Sequence, residues 1–238
     1  RAAFACVVLL PMVRKPTWTW KLIPMAISFA LMNYTYLTAM VKGSAANAIW
    51  LQNTAPVWVL IVGVLCFRET AHLLDWLLIG LCATGVGIIL YFESRGAAWD
   101  AVLWGLASSV FYAGVVLSLR QLRALEAAWM VAVNHLTTAI ALSWSVPASG
   151  IWPSGWQWVM LAGFGMLQMG LPYVLFARGL KVLPGHQAAG IGLLEPILVP
   201  VWVYLAYSEQ PAWWTLAGGG LIFAGLVARH AVTLLRAA

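Results

Sequence analysis

Charge is what this chain has least of. Asp, Glu, Lys and Arg make up 8% of its 238 residues, against 63% hydrophobic ones. That balance excludes a soluble globular fold, because too few polar groups remain to cover its surface. Cysteine is scarce too. Cys6, Cys66 and Cys82 lie in apolar runs without ligand-like spacing, which argues against a disulfide framework or a zinc site and leaves small packing residues. No G-x-x-x-x-G-K-[ST], H-E-x-x-H or G-x-S-x-G occurs, so the common motifs of nucleotide binding, zinc proteolysis and serine hydrolysis are missing. No Ser/Pro-rich linker, charge block or low-complexity tract interrupts the apolar runs, and no separate soluble domain is expected.

What the chain does have is apolar length. Windows of about 20 residues suffice to cross a bilayer core of about 30 Å, and eight can be read: Leu22 to Val41, Ala45 to Phe67, His72 to Phe92, Trp99 to Leu119, Ala124 to Val146, Trp156 to Ala177, His186 to Tyr207 and Ala212 to Leu234. Many of the 15 Trp residues, among them Trp18, Trp20, Trp99, Trp152, Trp156 and Trp213, fall where such windows begin or end, as in an interfacial aromatic belt. The opening segment Ala2 to Val13 is apolar but reaches only about 20 Å at 1.5 Å per residue. It reads as the back half of a truncated helix. Without a basic n-region or a small-residue cleavage site it does not read as a secretory signal.

Basic residues set the orientation. With alternating spans, Arg14, Lys15, Lys21, Arg68, Arg120, Arg123, Arg178, Lys181, Arg229 and Arg236 fall on one side and Lys42 and Arg95 on the other, ten against two. The positive-inside rule then expects a cytoplasmic C-terminus. The net charge of +6 is spread over these short loops. It is a topology signal and not a nucleic-acid-binding patch.

One stretch recurs 140 residues later: Pro56, Glu69, Gly80 and Gly85 match Pro196, Glu209, Gly220 and Gly225. The matched helices carry opposite orientation, which expects two inverted repeats of an odd number of helices with a site near mid-membrane between them.

The strings GSAANAIWLQNTAPVWVLIVGVLCFRET…LLIGLCATGVGIIL and PYVLFARGLKVLPGHQAAGIGLLEPILVPVWVYLAYSEQP…LAGGGLIFAGLVA closely resemble the two halves of EamA-type transporters of the drug/metabolite transporter superfamily. The resemblance covers nearly all of the chain. It rests on a Tyr and a Lys ahead of each helix pair, a mid-helix Pro, a boundary Glu and paired glycines in the closing helix. It implies an all-α integral membrane protein with two inverted five-helix repeats, here residues 1–92 and 99–238, lacking the first helix and the front of the second. Where the family places Gly before the boundary Glu, this chain has Arg68 and Ser208. The resemblance implies export of amino acids or related metabolites without any cofactor.

Polar side chains near mid-span must face protein or a water-filled cavity, because an unpaired polar group in hydrocarbon is costly. Asn33, Tyr34, Asn53, Tyr112, Asn134, His135, Gln168, Tyr173 and Glu195, with Ser108 and Ser109 beside them, form a band that expects a substrate cavity. Any one of them can instead bridge two helices, and a lone His135 without a carboxylate on its helix reads first as structural. Pro56, Pro172 and Pro196 are read as mid-span kinks or hinges. The strings around Gly80, Gly85, Gly218, Gly219, Gly220 and Gly225 read as close helix packing. Glu195, the acidic residue nearest a span centre, is a candidate site for a coupling proton or cation, or for a substrate amine; alternatively it donates a hydrogen bond to a neighbouring helix. The expected partners are a small-molecule solute and membrane lipid. The other classes weighed are an intramembrane enzyme using His135 or Glu195, which lacks a paired nucleophile or metal cluster, and a non-transporting scaffold.

Overall fold

The computed structural model describes residues 1–68, 73–93, 99–143, 150, 152–170, 172, 175, 194–208 and 210–237, with the side chains of 67, 170 and 232–237 outside the description. The described helices are α1 (Ala2–Leu9), α2 (Leu22–Lys42), α3 (Ala45–Gln52), α4 (Ala55–Phe67), α5 (Leu73–Glu93), α6 (Trp99–Gln121), α7 (Ala127–Ala141), α8 (Gly155–Gly163), α9 (Glu195–Tyr207) and α10 (Trp213–Ala237). A 3-10 turn follows α1 at Leu10–Met12, and a π-helical turn continues α8 over Phe164–Gly170. No strand occurs among the described residues. Among the described residues, four helical stretches are long and apolar enough to cross a membrane: Leu22–Lys42, Ala45–Cys66, Leu73–Glu93 and Trp99–Gln121. Outward side chains such as Val41, Leu65 and Leu73, each at least 74% exposed, suit lipid, where apolar exposure costs nothing.

The chain forms two compact units, residues 1–33 with 114–184 and residues 34–113 with 185–238. In the first, Ala5 and Leu9 of α1 pack on Ala132 of α7, and Gly165 of the π-helical turn lies against Arg1 and Phe4. Leu22 and Met25 of α2 pack on Leu122 and Met130. Helix α7 begins at Ala127, later than the apolar window, because Glu126 takes extended backbone as its N-cap. The Glu126 carboxylate accepts from the backbone N–H groups of Arg14 (3.0 and 3.2 Å) and Lys15 (2.7 Å), and Trp129 Nε1 donates to the Thr17 carbonyl at 2.8 Å. An apolar loop could not be held this way; the carboxylate and the indole give it backbone-directed anchors.

The second unit is organised around α5 and α10. Its core joins Leu78, Cys82 and Ile89 of α5 to Ile222 and Leu226 of α10, with Trp50 and Leu51 of α3 and Val102 of α6. The helix pairs α4–α5 and α9–α10 share their boundaries at the 140-residue offset: 55–67 against 195–207, and starts at 73 and 213. Each first helix has Pro at its second position, and each ends on a non-glycine residue in the left-handed region, Arg68 at φ 54° and Ser208 at φ 55°. Contacts between α5 and α10 exchange under the same offset. Gly85 lies against Gly218, and Gly225 lies against Leu78. As one helix advances from 78 to 85 its neighbour retreats from 225 to 218, so the two helices run antiparallel. A Cβ on Gly218 would come within 2.6 Å of the Gly85 carbonyl oxygen, so glycine is what permits this backbone approach. Gly80 and Gly220, read as packing residues from the sequence, instead face open space; they lie off the buried stripe.

The prolines correct the expectation of uninterrupted kinked spans. The window from Ala45 breaks at Asn53–Thr54, one turn before Pro56, because Pro56 has no N–H for the Gln52 carbonyl and its ring crowds that turn. Asn53 Nδ2 and Thr54 Oγ1 donate to the Ile49 and Leu51 carbonyls at 2.9 and 2.7 Å. Pro56 therefore stands in the first turn of α4, and Pro196 in the first turn of α9, where a missing N–H is tolerated. The interior proline of α9 is Pro200, which is buried. Pro172 is helical and exposed.

Candidate functional site

The sequence-derived polar band divides between the two units. In the first, Asn134 and His135 lie side by side on α7, 4% and 1% exposed. His135 meets the edge of Phe29 at 5.1 Å, and Asn33, one turn along α2, donates from Nδ2 to the Phe29 carbonyl at 2.9 Å. Phe29 thus meets His135 of α7 through its ring, while its carbonyl takes the local bond from Asn33. Asn134 Oδ1 is buried without a hydrogen-bond partner among the described residues, an acceptor left for a donor from water or solute. Gln168 is exposed in the π-helical turn; π turns occur often at functional positions. Tyr173 lies outside the described residues.

In the second unit, Tyr34 meets Trp104 edge-on at 5.9 Å. Asn53 occupies the break between α3 and α4, its amide N–H turned back to Ile49. Ser108 and Ser109 are fully buried and bond carbonyls of their own helix, and Ser109 Oγ also accepts from Trp58 Nε1 at 2.8 Å. Tyr112 and Glu195 are both exposed. Glu195 is the first residue of α9, where the helix dipole favours a negative charge. The carbonyl of Gly192, which the sequence pairs with Glu195, lies outside the described residues.

Several polar groups escaped the sequence reading. Arg229 Nε pairs with Asp75 Oδ1 at 3.0 Å, joining the end of α10 to the start of α5. Lys42 Nζ pairs with Asp100 Oδ2 at 2.5 Å, joining α2 to α6. Glu93 Oε1 accepts from Asn47 Nδ2 at 2.7 Å and Trp214 Nε1 at 3.1 Å. Trp50 Nε1 and Thr215 Oγ1 are buried without hydrogen-bond partners among the described residues. Asp75 and Arg229 stand 154 positions apart, so only the folded packing of α5 on α10 reveals them as a pair. No cluster of three or more His, Cys, Asp or Glu able to hold a metal occurs among the described residues. The site chemistry is hydrogen bonding and aromatic contact, with ion pairs at Asp75–Arg229 and Lys42–Asp100.

Comparison with known proteins gives this geometry its context. The chain is 25% identical over 194 residues to an uncharacterized transporter of Archaeoglobus fulgidus, covering 81% of this chain and 70% of the relative. It is 28% identical over 222 residues to the pseudopaline exporter CntI of Pseudomonas aeruginosa, covering 87% and 74%. A solved crystal structure superposes with a TM-score of 0.65 at 14% identity, over 95% of this chain and 84% of that one, a likeness of fold. The profile of the EamA-like transporter family matches residues 1–91 and 99–228. Family and relatives indicate a membrane transporter rather than an enzyme. Matched over most of its length and carrying helices able to cross a bilayer, this multi-pass membrane chain belongs to the EamA-like transporter family.

Proposed function

We propose that the chain is a secondary transporter that exports small metabolites, amino acids or drug-like solutes among them, by alternating access around a midplane cavity. Its two halves, 1–92 and 99–238, act as inverted repeats in the cytoplasmic membrane with the C-terminus inside. The observation that carries this reading is the exchange of contacts between α5 and α10: helices with matching boundaries run antiparallel and meet through Gly85 on Gly218 and Gly225 on Leu78. An antiparallel pair related by a two-fold has its axis across the helices, hence in the membrane plane, and rocking about such an axis exposes one site to either side in turn. The ten-to-two split of basic residues supports the orientation. The relative named as a pseudopaline exporter supports the outward direction.

Asn33, Tyr34, Asn53, Tyr112, Asn134, His135, Gln168, Tyr173 and Glu195 line the substrate path in this reading. Its polar groups match amide, hydroxyl and ammonium chemistry. Glu195 carries the coupling proton or cation. The test is a metabolite-efflux screen in cells expressing the protein, followed by flux of the best solute into proteoliposomes. Solute-selective flux above empty vesicles is expected. Folded, inserted protein that moves none of the classes tested in either direction overturns the proposal.

A further inference from the structure

We propose that the end of α5, with the starts of α3 and α10, forms a binding site for an organic ammonium group, separate from the midplane band and independent of the transport reading. Glu93 is its centre. One carboxylate oxygen accepts from Asn47 Nδ2 at 2.7 Å and from Trp214 Nε1 at 3.1 Å, and no Lys or Arg among the described residues pairs with it. Because Asn47 bonds Glu93 through its amide nitrogen, its amide oxygen belongs to a group already held beside the carboxylate. That oxygen is buried and has no hydrogen-bond partner among the described residues, and Asn47 is only 7% exposed. Among the described residues, the partly exposed Glu93 carboxylate is thus held by neutral donors alone, and it is left to take a positively charged donor from outside.

Rings choose the kind of donor. Phe92 stacks on Trp214 at 5.3 Å and meets Trp213 edge-on at 4.7 Å, while Trp213 and Trp214 stand edge-on at 5.8 Å. Trp213 is 61% exposed, so part of its ring is open to a ligand. A carboxylate at the edge of an aromatic cluster attracts an alkylammonium through its charge, and a neighbouring ring adds its quadrupole. A bare metal ion would want many more oxygens than the two offered here. The ammonium can come from a soluble amine or from a phospholipid headgroup, since aromatic residues at a span end sit at headgroup depth.

Equilibrium binding of radiolabelled choline to the full chain in a maltoside detergent tests this, with ethanolamine and sodium chloride as competitors at equal ionic strength. Saturable choline binding is expected, displaced by ethanolamine and not by sodium. Glu93→Gln keeps an acceptor for both donors and is expected to weaken binding about tenfold, as the loss of a charge-assisted contact should. Trp213→Ala, at an exposed ring, is expected to weaken it as well, while Asp100→Asn leaves it unchanged. In nanodiscs, displacement by phosphatidylethanolamine but not phosphatidylglycerol assigns the site to a lipid headgroup. Equal choline binding in both lipids assigns it to a soluble amine. The site is overturned by absence of saturable binding, by equal competition from sodium, or by Glu93→Gln and Trp213→Ala binding like the parent while both remain folded.

Discussion

The pairs α4–α5 and α9–α10 are near copies in backbone and unlike in chemistry. Both open with a 13-residue helix bearing Pro second, turn through a left-handed non-glycine residue and continue into a long helix. Yet Ala55, 1% exposed, stands where Glu195 is exposed, and Leu60, 6% exposed, stands where α9 has Pro200. The ion pair Asp75–Arg229 has at its exchanged positions Thr215 and Ile89, both buried. Equivalent geometry filled by different residues separates what the fold requires from what each half does. Among the described residues, the glycine crossing and the left-handed corners recur under the offset, whereas the Glu195 carboxylate, the interior Pro200 and the Asp75–Arg229 pair each occur in one place.

The crossing gives the largest expected effect. Gly85→Leu drives a side chain into the Gly218 backbone, where even a Cβ has no room, and should cost 3 kcal/mol or roughly more, beyond ordinary overpacking. Loss of the monodisperse peak in detergent chromatography checks it. Gly80→Ala and Gly220→Ala, at equivalent positions with open space, should leave the peak intact and gain up to about 1 kcal/mol from helix propensity. If Gly85→Leu proves as harmless as Gly80→Ala, the antiparallel crossing is wrong.

Removing the ion pair tests the asymmetry between Asp75–Arg229 and its exchanged positions. Asp75 is 12% exposed at its side chain and Arg229 34%, so Asp75→Asn leaves a partly buried guanidinium short of its counter-charge and should cost about 1–3 kcal/mol. Thermal unfolding of the purified protein reads this. The double change Asp75→Thr with Arg229→Ile, which copies the other half, should recover part of the loss.

Glu195 tests its asymmetry with Ala55. Glu195→Gln keeps shape and hydrogen bonding but loses the ionisable group, so pH-gradient-driven or cation-dependent flux should fall at least about tenfold, or about 1.4 kcal/mol, with insertion and folding intact. Unchanged flux at every pH would make Glu195 structural and remove the proposed coupling site.

Much of the fold was legible because the governing signals are local or periodic. Apolar length located α2, the α3–α4 stretch, α5 and α6, and the 140-residue offset located the two helix pairs. Trp18, Trp20, Trp152, Trp156 and Trp213 are all more than 60% exposed, as belt residues should be. Pairings were not legible, because a charge near a span end, such as Arg229 in the ten-against-two split, looks the same in sequence whether it meets headgroups or a carboxylate one helix away. Asn47 and Glu93 are illegible for a similar reason: both lie near helix ends, where a polar side chain is ordinary and signals no partner. The break after Gln52 was hidden by an apolar count that runs smoothly through Asn53 and Thr54.

The smallest effect is also the most symmetrical. Arg68 and Ser208 are the non-glycine residues with positive φ among those described, 54° and 55°, and each closes a helix at the matched position before the next long helix begins. An L-residue there holds its Cβ against the following carbonyl, a strain of about 1–2 kcal/mol that glycine avoids. Glycine in turn loses more chain freedom on folding, which offsets part of that gain. Arg68→Gly and Ser208→Gly should therefore each stabilise the protein by about 0.5–1 kcal/mol, by equal amounts if the two corners are equivalent in strain as they are in backbone angle. Ala at either position should give no gain, since it keeps the Cβ. Thermal unfolding of the two glycine variants and their alanine controls decides it: a gain at one corner alone would mean that the duplicated turn is held by different contacts in the two halves, and a gain from alanine would place the effect in the side chain and not in the left-handed backbone.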